Sequence, residues 1–517
     1  MLTLPHLLKA TAQTYRNRNA IIDPAGNLNW GQYADRIARS AGMLQQLGLK
    51  PGDRYATLCR NSVNHAQLLL AGFWSGIIPV PLNFRLSAVE IGAMLEDARC
   101  DVLMIDDDLC HFLDQPALQP WRARAVRVHV QSTGNPALPT MAQLVAASSP
   151  VGAHACQEQD EALLLYTGGT TGRGKGVRLT HRNIVANALQ LSRVMSPTPD
   201  DIYLHVSPMF HSTDLKATVV TMFGGGHVYL RDFSVDGVLK AIEEHGVTIA
   251  SLVPTMIVSI LKEADLDRYD LGRLRLISYG TSPIDEHWLR KAMESFSHVG
   301  FHQCYGLTET SPYLAILDEH AHRQALSDRP ALLKAAGRLL PGTTMRLLDD
   351  GGNEVPAGSP GEIVVCGPQV AAGYLNRPDE NSDTFRDGWL YTGDVGRLDE
   401  DGYLHVLDRK KEMVITGGEN VYTREVELVL HRHPDIAEIA VLGIPDAQYG
   451  EALLAVVVPA ADRTPQPAQI IEFCRQHLGG YKIPRQFMFV AQLPRSALGK
   501  VRKHELRQTY LETRRCG

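Results

Sequence analysis

The chain has 517 residues, of which 44% are hydrophobic and 21% are charged, and its formal net charge is −6. This length is too great for one hydrophobic core, so we expect roughly two to four domains or subdomains. The negative charge argues against nucleic acid as a partner, because general nucleic-acid binding needs a basic face. The eight cysteines are scattered without a C-x-x-C pair, which fits a reducing compartment and argues against structural zinc.

The termini and apolar segments bear on localisation. Residues 1–15 lack the basic flank and long apolar core of a signal peptide. The most apolar region, residues 68–81, is too short to span a bilayer and is broken by Gly and Pro. We therefore expect a cytoplasmic protein with no transmembrane segment. Peripheral membrane contact and a homodimer stay open.

Strand-like apolar runs alternate with amphipathic helical stretches along much of the chain. Strands are predicted at 102–105, 226–230, 248–253, 274–279 and 363–365, and helices at 235–244 and 286–296. This alternation predicts an α/β fold with largely parallel sheets.

A Gly-rich loop with sequence YTGGTTGRGKGV occupies residues 166–177, between an apolar run at 163–165 and a predicted helix at 183–194. Glycines let backbone N–H groups approach phosphate oxygens, threonine hydroxyls donate to the same oxygens, and lysine adds positive charge. The loop therefore indicates a polyphosphate site. It departs from the Walker pattern because Gly176 stands where a P-loop NTPase has its magnesium-binding hydroxyl.

A domain boundary is predicted at 408–411. Residues 341–403 are dense in Gly, Pro and Asp, as turn-rich β structure would be. Residues 412–517 read as a compact unit with strands at 439–442 and 453–458 and helices at 424–431 and 468–478. An ordinary surface loop at 408–411 is the alternative.

Four further motifs complete the pattern: QCYGLTE at 303–309, WLYTGD at 389–394, GGENV at 417–421 and LPRSALGK at 493–500. Singly, each has an ordinary structural explanation. Together, and in this order, they resemble the adenylate-forming superfamily of acyl-CoA synthetases, nonribosomal-peptide adenylation domains and beetle luciferases. Residues 387–412 are most similar to the signature of fatty and aryl acyl-CoA ligases.

The resemblance implies a two-domain architecture. Residues 1–407 would form a large N-terminal adenylation domain of parallel-rich sheets flanked by helices, with a β-barrel-like subdomain. Residues 408–411 would be a hinge, and 412–517 a small, mobile α+β C-terminal domain that carries the catalytic lysine.

The resemblance also implies ATP, Mg2+ and CoA as cofactors. Thr308 would bind the α-phosphate, Asp394 the ribose hydroxyls with Arg409 nearby, and Tyr305 would stack on adenine. Glu309 would bind Mg2+, with Thr170 as the second metal candidate, since a hard cation prefers oxygen ligands. The implied ATP/AMP-binding set is Thr167, Gly168, Gly169, Thr170, Thr171, Gly172, Lys175, Gly280, Thr281, Ser282, Gln303, Tyr305, Gly306, Thr308, Asp394, Arg409 and Lys500.

The implied catalytic residues are Lys500, Thr308, Glu309 and His211. Lys500 would bridge the incoming carboxylate and the α-phosphate; the acid is already ionised at neutral pH, so no general base is needed. Rotation about Asp408 would then withdraw Lys500 and bring the 417–418 loop to the active site for attack by the CoA thiol. The implied CoA and hinge residues are Asp408, Lys410, Gly417, Gly418 and Glu419.

Three residues depart from the family pattern. Gly168 and Gly174 replace the usual Ser and Pro of the phosphate loop, which removes one hydroxyl donor and predicts weaker or slower ATP handling. Cys304 replaces a small glycine and would narrow one wall of the acyl pocket.

The acyl pocket implied by the resemblance contains His211, Ser212, Tyr279, Gly280, Cys304 and Gly306. The absence of bulk at Gly306 and Gly280 predicts a fatty or aromatic acid larger than acetate. Ser212 stands where amino-acid-activating relatives carry an aspartate, which disfavours an α-amino acid. Asp214 and Lys216 are read either as a helix-surface pair, which we favour, or as polar contacts to a substituted acid.

The sequence therefore predicts an enzyme, an AMP-forming acid–thiol ligase. It would activate a carboxylic acid to an acyl-adenylate with release of pyrophosphate, and transfer the acyl group to CoA. The alternatives are an enzyme that loads a carrier-protein phosphopantetheine and a luciferase-like oxygenase.

Overall fold

A computed structural model describes residues 2–129, 138–167, 174–282, 284–416, 419–446, 449–495 and 501–515. The chain forms two compact units. The first consists of Met1–Thr344 and Val365–Leu390, and the second of Met345–Val364 and Tyr391–Gly517. The second unit thus takes in segments upstream of the boundary expected at 408–411, which stays a prediction.

The strands of the described residues are β1 (Asn19–Ile21), β2 (Leu28–Asn29), β3 (Arg54–Leu58), β4 (Ile78–Pro81), β5 (Val102–Ile105), β6 (Ala125–Arg127), β7 (Glu161–Thr167), β8 (Lys175–Thr180), β9 (Ile202–His205), β10 (Gly226–Tyr229), β11 (Ile249–Leu252), β12 (Leu276–Gly280), β13 (Gly300–Gly306), β14 (Tyr313–Leu317), β15 (Arg338–Leu339), β16 (Thr344–Leu348), β17 (Gly361–Cys366), β18 (Phe385–Arg386), β19 (Trp389–Leu398), β20 (Leu404–Arg409), β21 (Val414–Thr416), β22 (Glu419–Val421), β23 (Ile436–Asp446), β24 (Gly450–Pro459) and β25 (Gln486–Phe489).

The α-helices are α1 (Leu4–Thr14), α2 (Trp30–Gln46), α3 (Val63–Ser75), α4 (Ala88–Ala98), α5 (Met141–Ala147), α6 (His181–Met195), α7 (Ala217–Met222), α8 (Val235–His245), α9 (Pro254–Glu263), α10 (Glu286–Ser295), α11 (Glu319–Ser327), α12 (Pro378–Thr384), α13 (Thr423–Leu430), α14 (Pro467–Arg475) and α15 (Lys503–Arg515). Several begin with reciprocal capping, as at α6, where Thr180 and Asn183 bond each other's backbone N–H. A short 3-10 helix, Ser212–Lys216, precedes α7.

The first unit is built on two parallel-rich sheets. The larger has the order β15-β14-β13-β12-β11-β9-β10-β1-β2, and the smaller the order β4-β3-β5-β6. In the larger sheet β9 to β13 pair in parallel, whereas β14 and β15 join antiparallel. The predicted α/β class is confirmed. Strand β5 has the predicted bounds and is buried throughout, as expected of a central parallel strand.

The Gly-rich loop has a different setting from the one that the sequence indicated. It closes an antiparallel hairpin between β7 and β8, and α6 begins only after β8. Strand β8 was missed because its burial pattern, two buried residues after each half-buried one, lacks the alternation of period two, and because it adjoins a loop rich in glycine.

The second unit contains a sheet with the order β22-β21-β24-β23 and with β25 beside β24. Successive residues of β23 and β24 face opposite sides of this sheet. One side packs against α13 and α14 in one apolar cluster, and the other packs against α15 in a second cluster. The turn-rich segment forms another five-stranded sheet, β16-β17-β19-β18 with β20 beside β19. No helix within the described residues is long and apolar enough to cross a membrane.

Candidate adenylation site

The phosphate-loop hairpin places one lysine at the loop's edge. Thr167 lies opposite Lys175 in the register of β7 and β8. The Lys175 ammonium lies 5.0 Å from the centre of the Tyr374 ring and 3.9 Å from Glu380. Because this ion pair is long and partly exposed, a polyphosphate can compete for the ammonium. The rest of the predicted loop set lies outside the described residues: Gly168, Gly169, Thr170, Thr171 and Gly172.

Thr308 and Glu309 follow β13 and have defined partners in the first unit. The Thr308 hydroxyl lies 3.2 Å from that of Ser212. Glu309 is 9% exposed, and its carboxylate accepts a hydrogen bond of 2.7 Å from the Tyr374 hydroxyl. This bond fixes the orientation of the carboxylate, which the sequence alone did not reveal.

The donor set of Glu309 fits Mg2+. In the described residues no Lys, Arg or His forms an ion pair with Glu309, although its side chain is almost buried. One oriented carboxylate, completed by phosphate oxygens and water, is a common way of holding this ion. No cluster of three or more His, Cys, Asp or Glu side chains suited to a metal occurs in the described part of the chain.

Gly306 and Gly280, whose small size was interpreted as space for the acid, both lie too close to a neighbouring backbone to carry a side chain. A Cβ on Gly306 would overlap the carbonyl oxygen of Pro312, and one on Gly280 would overlap the carbonyl oxygen of Cys304. The two residues are therefore needed for close strand packing. Their small size alone does not argue for a larger acid.

The other first-unit candidates surround the ends of β12 and β13. The Tyr279 hydroxyl lies 2.8 Å from His322 Nε2 and 3.4 Å from Gln303 Oε1. Tyr305 is half-buried, whereas Thr281 and Ser282 are exposed.

Asp214 and Lys216 do not form the predicted helix-surface pair. The Lys216 side chain is buried with its ammonium 3.3 Å from Cys304 Sγ and 4.7 Å from the centre of the Tyr313 ring. Burial lowers the pKa of Lys216. Asp214 instead bonds His205, with 2.8 Å between Oδ1 and Nδ1. The surface interpretation failed because the 3-10 helix that carries both residues is packed inside the unit.

A cavity of about 70 Å³ lies beside this helix. Its walls are mostly apolar, from α2, α3 and β7, with polar groups on one side that include His211 and Asp214. Among the predicted acyl-pocket residues His211 lines this cavity; Ser212, Tyr279, Gly280, Cys304 and Gly306 do not.

The second unit holds the predicted ribose-binding pair. Asp394 lies opposite Arg409 in the register of β19 and β20, and Arg409 Nε lies 2.6 Å from Asp394 Oδ1. The Asp394 side chain is 5% exposed. The guanidinium pairs with the carboxylate and orients it, as an acceptor of two adjacent hydroxyls must be oriented.

Replacing Asp394 with asparagine is expected to raise the KM for ATP about 10- to 100-fold, because charge-assisted hydrogen bonds to the ribose are lost. Initial rates over an ATP titration measure this. Asp401→Asn, at an exposed turn, is the matched control and should leave KM unchanged. An unchanged KM in Asp394→Asn would contradict the assignment.

The predicted hinge residue Asp408 forms hydrogen bonds with other residues of the second unit. Its Oδ2 accepts hydrogen bonds from the Thr423 hydroxyl at 3.0 Å and from the Arg424 backbone N–H at 3.4 Å. Lys410 pairs with Glu362 at 2.9 Å and with Asp350 at 3.0 Å, and Glu419 is exposed on β22. Gly417, Gly418 and Lys500 lie outside the described residues.

Lys503, which the sequence analysis did not single out, begins α15 and joins it to this region. Its ammonium lies 2.8 Å from Glu427, 3.1 Å from Glu412 and 2.9 Å from the Thr423 hydroxyl. Burial disfavours the ammonium, but the two carboxylates outweigh this and raise the pKa of Lys503. Its stabilising contribution is therefore present at neutral pH and is lost only as the pH rises through the raised pKa.

Lys503→Met is expected to destabilise the second unit by about 3 kcal/mol, because it leaves the buried Glu427 carboxylate without its cation. Hydrogen exchange of β24 and α13 amides in the full chain measures this local stability. The double variant Lys503→Met/Glu427→Gln should recover much of the loss. Equal exchange in wild type and Lys503→Met would refute the expectation.

Comparison with known proteins places the chain in a family. Residues 8–375 match the AMP-binding enzyme family, and residues 425–500 match the AMP-binding enzyme C-terminal domain. The chain belongs to the AMP-binding enzymes. Among its relatives is a feruloyl-CoA synthase of Amycolatopsis sp, 35% identical over 485 residues, covering 93% of this chain and 94% of the relative.

Solved structures agree in fold and coverage. ATP-bound MatB from Rhodopseudomonas palustris matches with a TM-score of 0.87 and 32% identity, over 98% of this chain and 99% of that chain. The o-succinylbenzoate CoA synthetase MenE from Bacillus subtilis, in complex with its acyl-adenylate intermediate, matches with a TM-score of 0.84 and 30% identity, over 97% of both chains. This AMP-binding enzyme is therefore an AMP-forming acid–thiol ligase that uses ATP, Mg2+ and CoA.

Proposed function

We propose that this ligase activates a fatty or aromatic monocarboxylic acid larger than acetate, and that His211, Ser212 and the adjoining cavity receive the acid. Adenylation joins a carboxylate oxygen to the α-phosphorus of ATP and breaks the bond to pyrophosphate. Both reactants are anions, so positive charge and positioning are the main catalytic terms.

The residues divide this work by position. Lys175 would neutralise the terminal phosphates at the hairpin, Thr308 would hydrogen-bond the α-phosphate, and Lys500 would bridge this phosphate and the carboxylate. Glu309 would hold Mg2+, which supplies positive charge to the phosphates as pyrophosphate leaves. Asp394 would accept the ribose hydroxyls.

The contact between the Ser212 and Thr308 hydroxyls, at 3.2 Å, carries this proposal. Ser212 follows His211, which lines the cavity, and Thr308 precedes the buried Glu309. An acid whose remote end enters the cavity would thus have its carboxylate near Thr308, the group proposed for the α-phosphate. This is the proximity that the first half-reaction requires.

The second half-reaction transfers the acyl group from the adenylate to the CoA thiol and releases AMP. We propose that residues 408–411 act as the hinge for a domain rotation between the two steps, with reaction in a cytoplasmic setting. A carrier-protein phosphopantetheine is the competing acceptor, and reaction of the adenylate with oxygen is the luciferase-like alternative.

CoA-dependent AMP release, measured across C2–C18 fatty acids and substituted benzoates and cinnamates, tests the proposal. We expect AMP and acyl-CoA in equal amounts from one subset larger than acetate. If the adenylate forms but reacts only with a carrier protein, the carrier protein rather than CoA is the acceptor. Oxygen uptake with emission of light would favour the oxygenase. Release of AMP from no acid would refute the proposed function.

A further inference from the structure

The cavity beside the 3-10 helix has a polar side whose arrangement is specific. Asp214 Oδ1 lies 2.8 Å from His205 Nδ1, His205 Nε2 lies 3.0 Å from His227 Nδ1, and His227 Nε2 lies 3.1 Å from the Thr221 hydroxyl. The Tyr229 ring stacks on His205 with 4.1 Å between ring centres. Four side chains therefore form one continuous hydrogen-bonded series against an apolar cavity.

The direction of this series follows from the charge states. Burial lowers the pKa of His227 well below its ordinary value, so this ring is neutral and donates one proton and accepts another. Thr221 can then donate to His227, His227 to His205, and His205 to Asp214. The series ends on the Asp214 carboxyl group, which His205 holds in place.

Asp214 keeps unused acceptor capacity. Its side chain is 11% exposed and lines the cavity. Across the described residues no Lys or Arg pairs with it, and Oδ2 forms no hydrogen bond with any of them. A carboxylate facing an apolar cavity in this way is costly unless a donor meets it.

We propose that Asp214 recognises a hydroxyl or amino group at the end of the acid remote from the reacting carboxylate. This inference rests on the proposed function and narrows its substrate class. Ser212, two residues before Asp214, contacts Thr308, so one turn of helix would address both ends of the acid. The cavity, about 70 Å³, is half the size of the roughly 150 Å³ cavity that binds benzene, and suits a ring substituent better than a long alkyl tail.

The expected discrimination is large. A site built to bond a hydroxyl or amine rejects an analogue without that group by about 100-fold or more, because its own polar group is left unpaired. A methyl group fills the same space without donating a proton. Acids that carry hydroxyl, amino or methyl at the same ring position therefore separate recognition by Asp214 from the effect of size.

The test compares kcat/KM for CoA-dependent AMP release with 3- and 4-substituted benzoates and cinnamates that carry hydroxyl, amino, methyl or hydrogen. We expect kcat/KM for the best hydroxyl- or amino-substituted acid to exceed that for its methyl-substituted analogue about 100-fold. In Asp214→Leu this preference should vanish, with a gain for the methyl acid. The control Asp232→Asn changes an exposed carboxylate and should keep the preference.

Every outcome of this test either supports or overturns the recognition by Asp214. If Asp214→Leu does not fold, as judged by thermal unfolding, the isosteric Asp214→Asn takes its place. This variant should still reduce the preference for the amino-substituted acid over the methyl-substituted acid at least tenfold. AMP release with equal kcat/KM from hydroxyl, amino and methyl acids would overturn the recognition by Asp214 and leave the ligase function intact. Failure of every acid to release AMP would overturn the ligase function and this inference with it.

Discussion

Lys500→Ala is expected to lower acid-dependent pyrophosphate release about 100-fold or more. The reason is electrostatic. The incoming carboxylate and the α-phosphate repel each other, and the ammonium at 500 would lie between them in the adenylation step. The variant should have little effect on attack of CoA on acyl-adenylate that is supplied preformed, because that step does not need this charge.

Separate assays of the two half-reactions make this prediction sharp. Pyrophosphate release in the presence of acid and ATP reports the first step, and acyl-CoA formation from synthetic acyl-adenylate reports the second. Lys50→Ala, at an exposed turn, is the control and should match wild type in both. Equal losses in both steps of Lys500→Ala would mean that the lysine acts on folding or on general binding.

Glu309→Gln is expected to lower kcat/KM for ATP about 100-fold and to raise the Mg2+ concentration that gives half-maximal rate. Glutamine keeps the size of the side chain and still accepts the hydrogen bond from Tyr374 Oη. It removes only the negative charge that would bind the metal. A Mg2+ titration of initial rates at fixed ATP measures the effect.

Tyr374→Phe is the companion variant, because it leaves the carboxylate but removes the 2.7 Å hydrogen bond that orients it. We expect a loss of about tenfold, of the size of one orienting hydrogen bond, with a smaller change in Mg2+ dependence. A wild-type Mg2+ response in Glu309→Gln would exclude Glu309 as the metal ligand.

The elements that the sequence did predict lie where burial leaves a strong signal. Strand β5 is a continuous apolar run, and α8 and α10 begin at the predicted residues and end within one residue of the predicted ends. The family's motifs likewise identified the chemistry.

The sequence could not predict which side chains and backbone atoms contact each other across the fold. Gly306 looked like space for an acid, but it is glycine because of the Pro312 carbonyl. Asp214 and Lys216 looked like a surface pair, but they face different buried partners. These facts depend on contacts between residues far apart in the chain, as between Lys216 and Cys304, and no local pattern encodes them.

The chain crosses from one unit to the other three times, because residues 345–364 belong with 391–517 and residues 365–390 belong with the first unit. During synthesis at roughly 5–20 residues per second, the 345–364 segment leaves the ribosome on the order of ten seconds before its unit is complete. Strand β17, which carries the buried residues Ile363 and Val364, lacks its neighbour β19 until residues 389–398 have been made. A chain that is cut after Leu390 would leave β17 without most of β19 permanently, which makes this segment a target for chaperones and proteases.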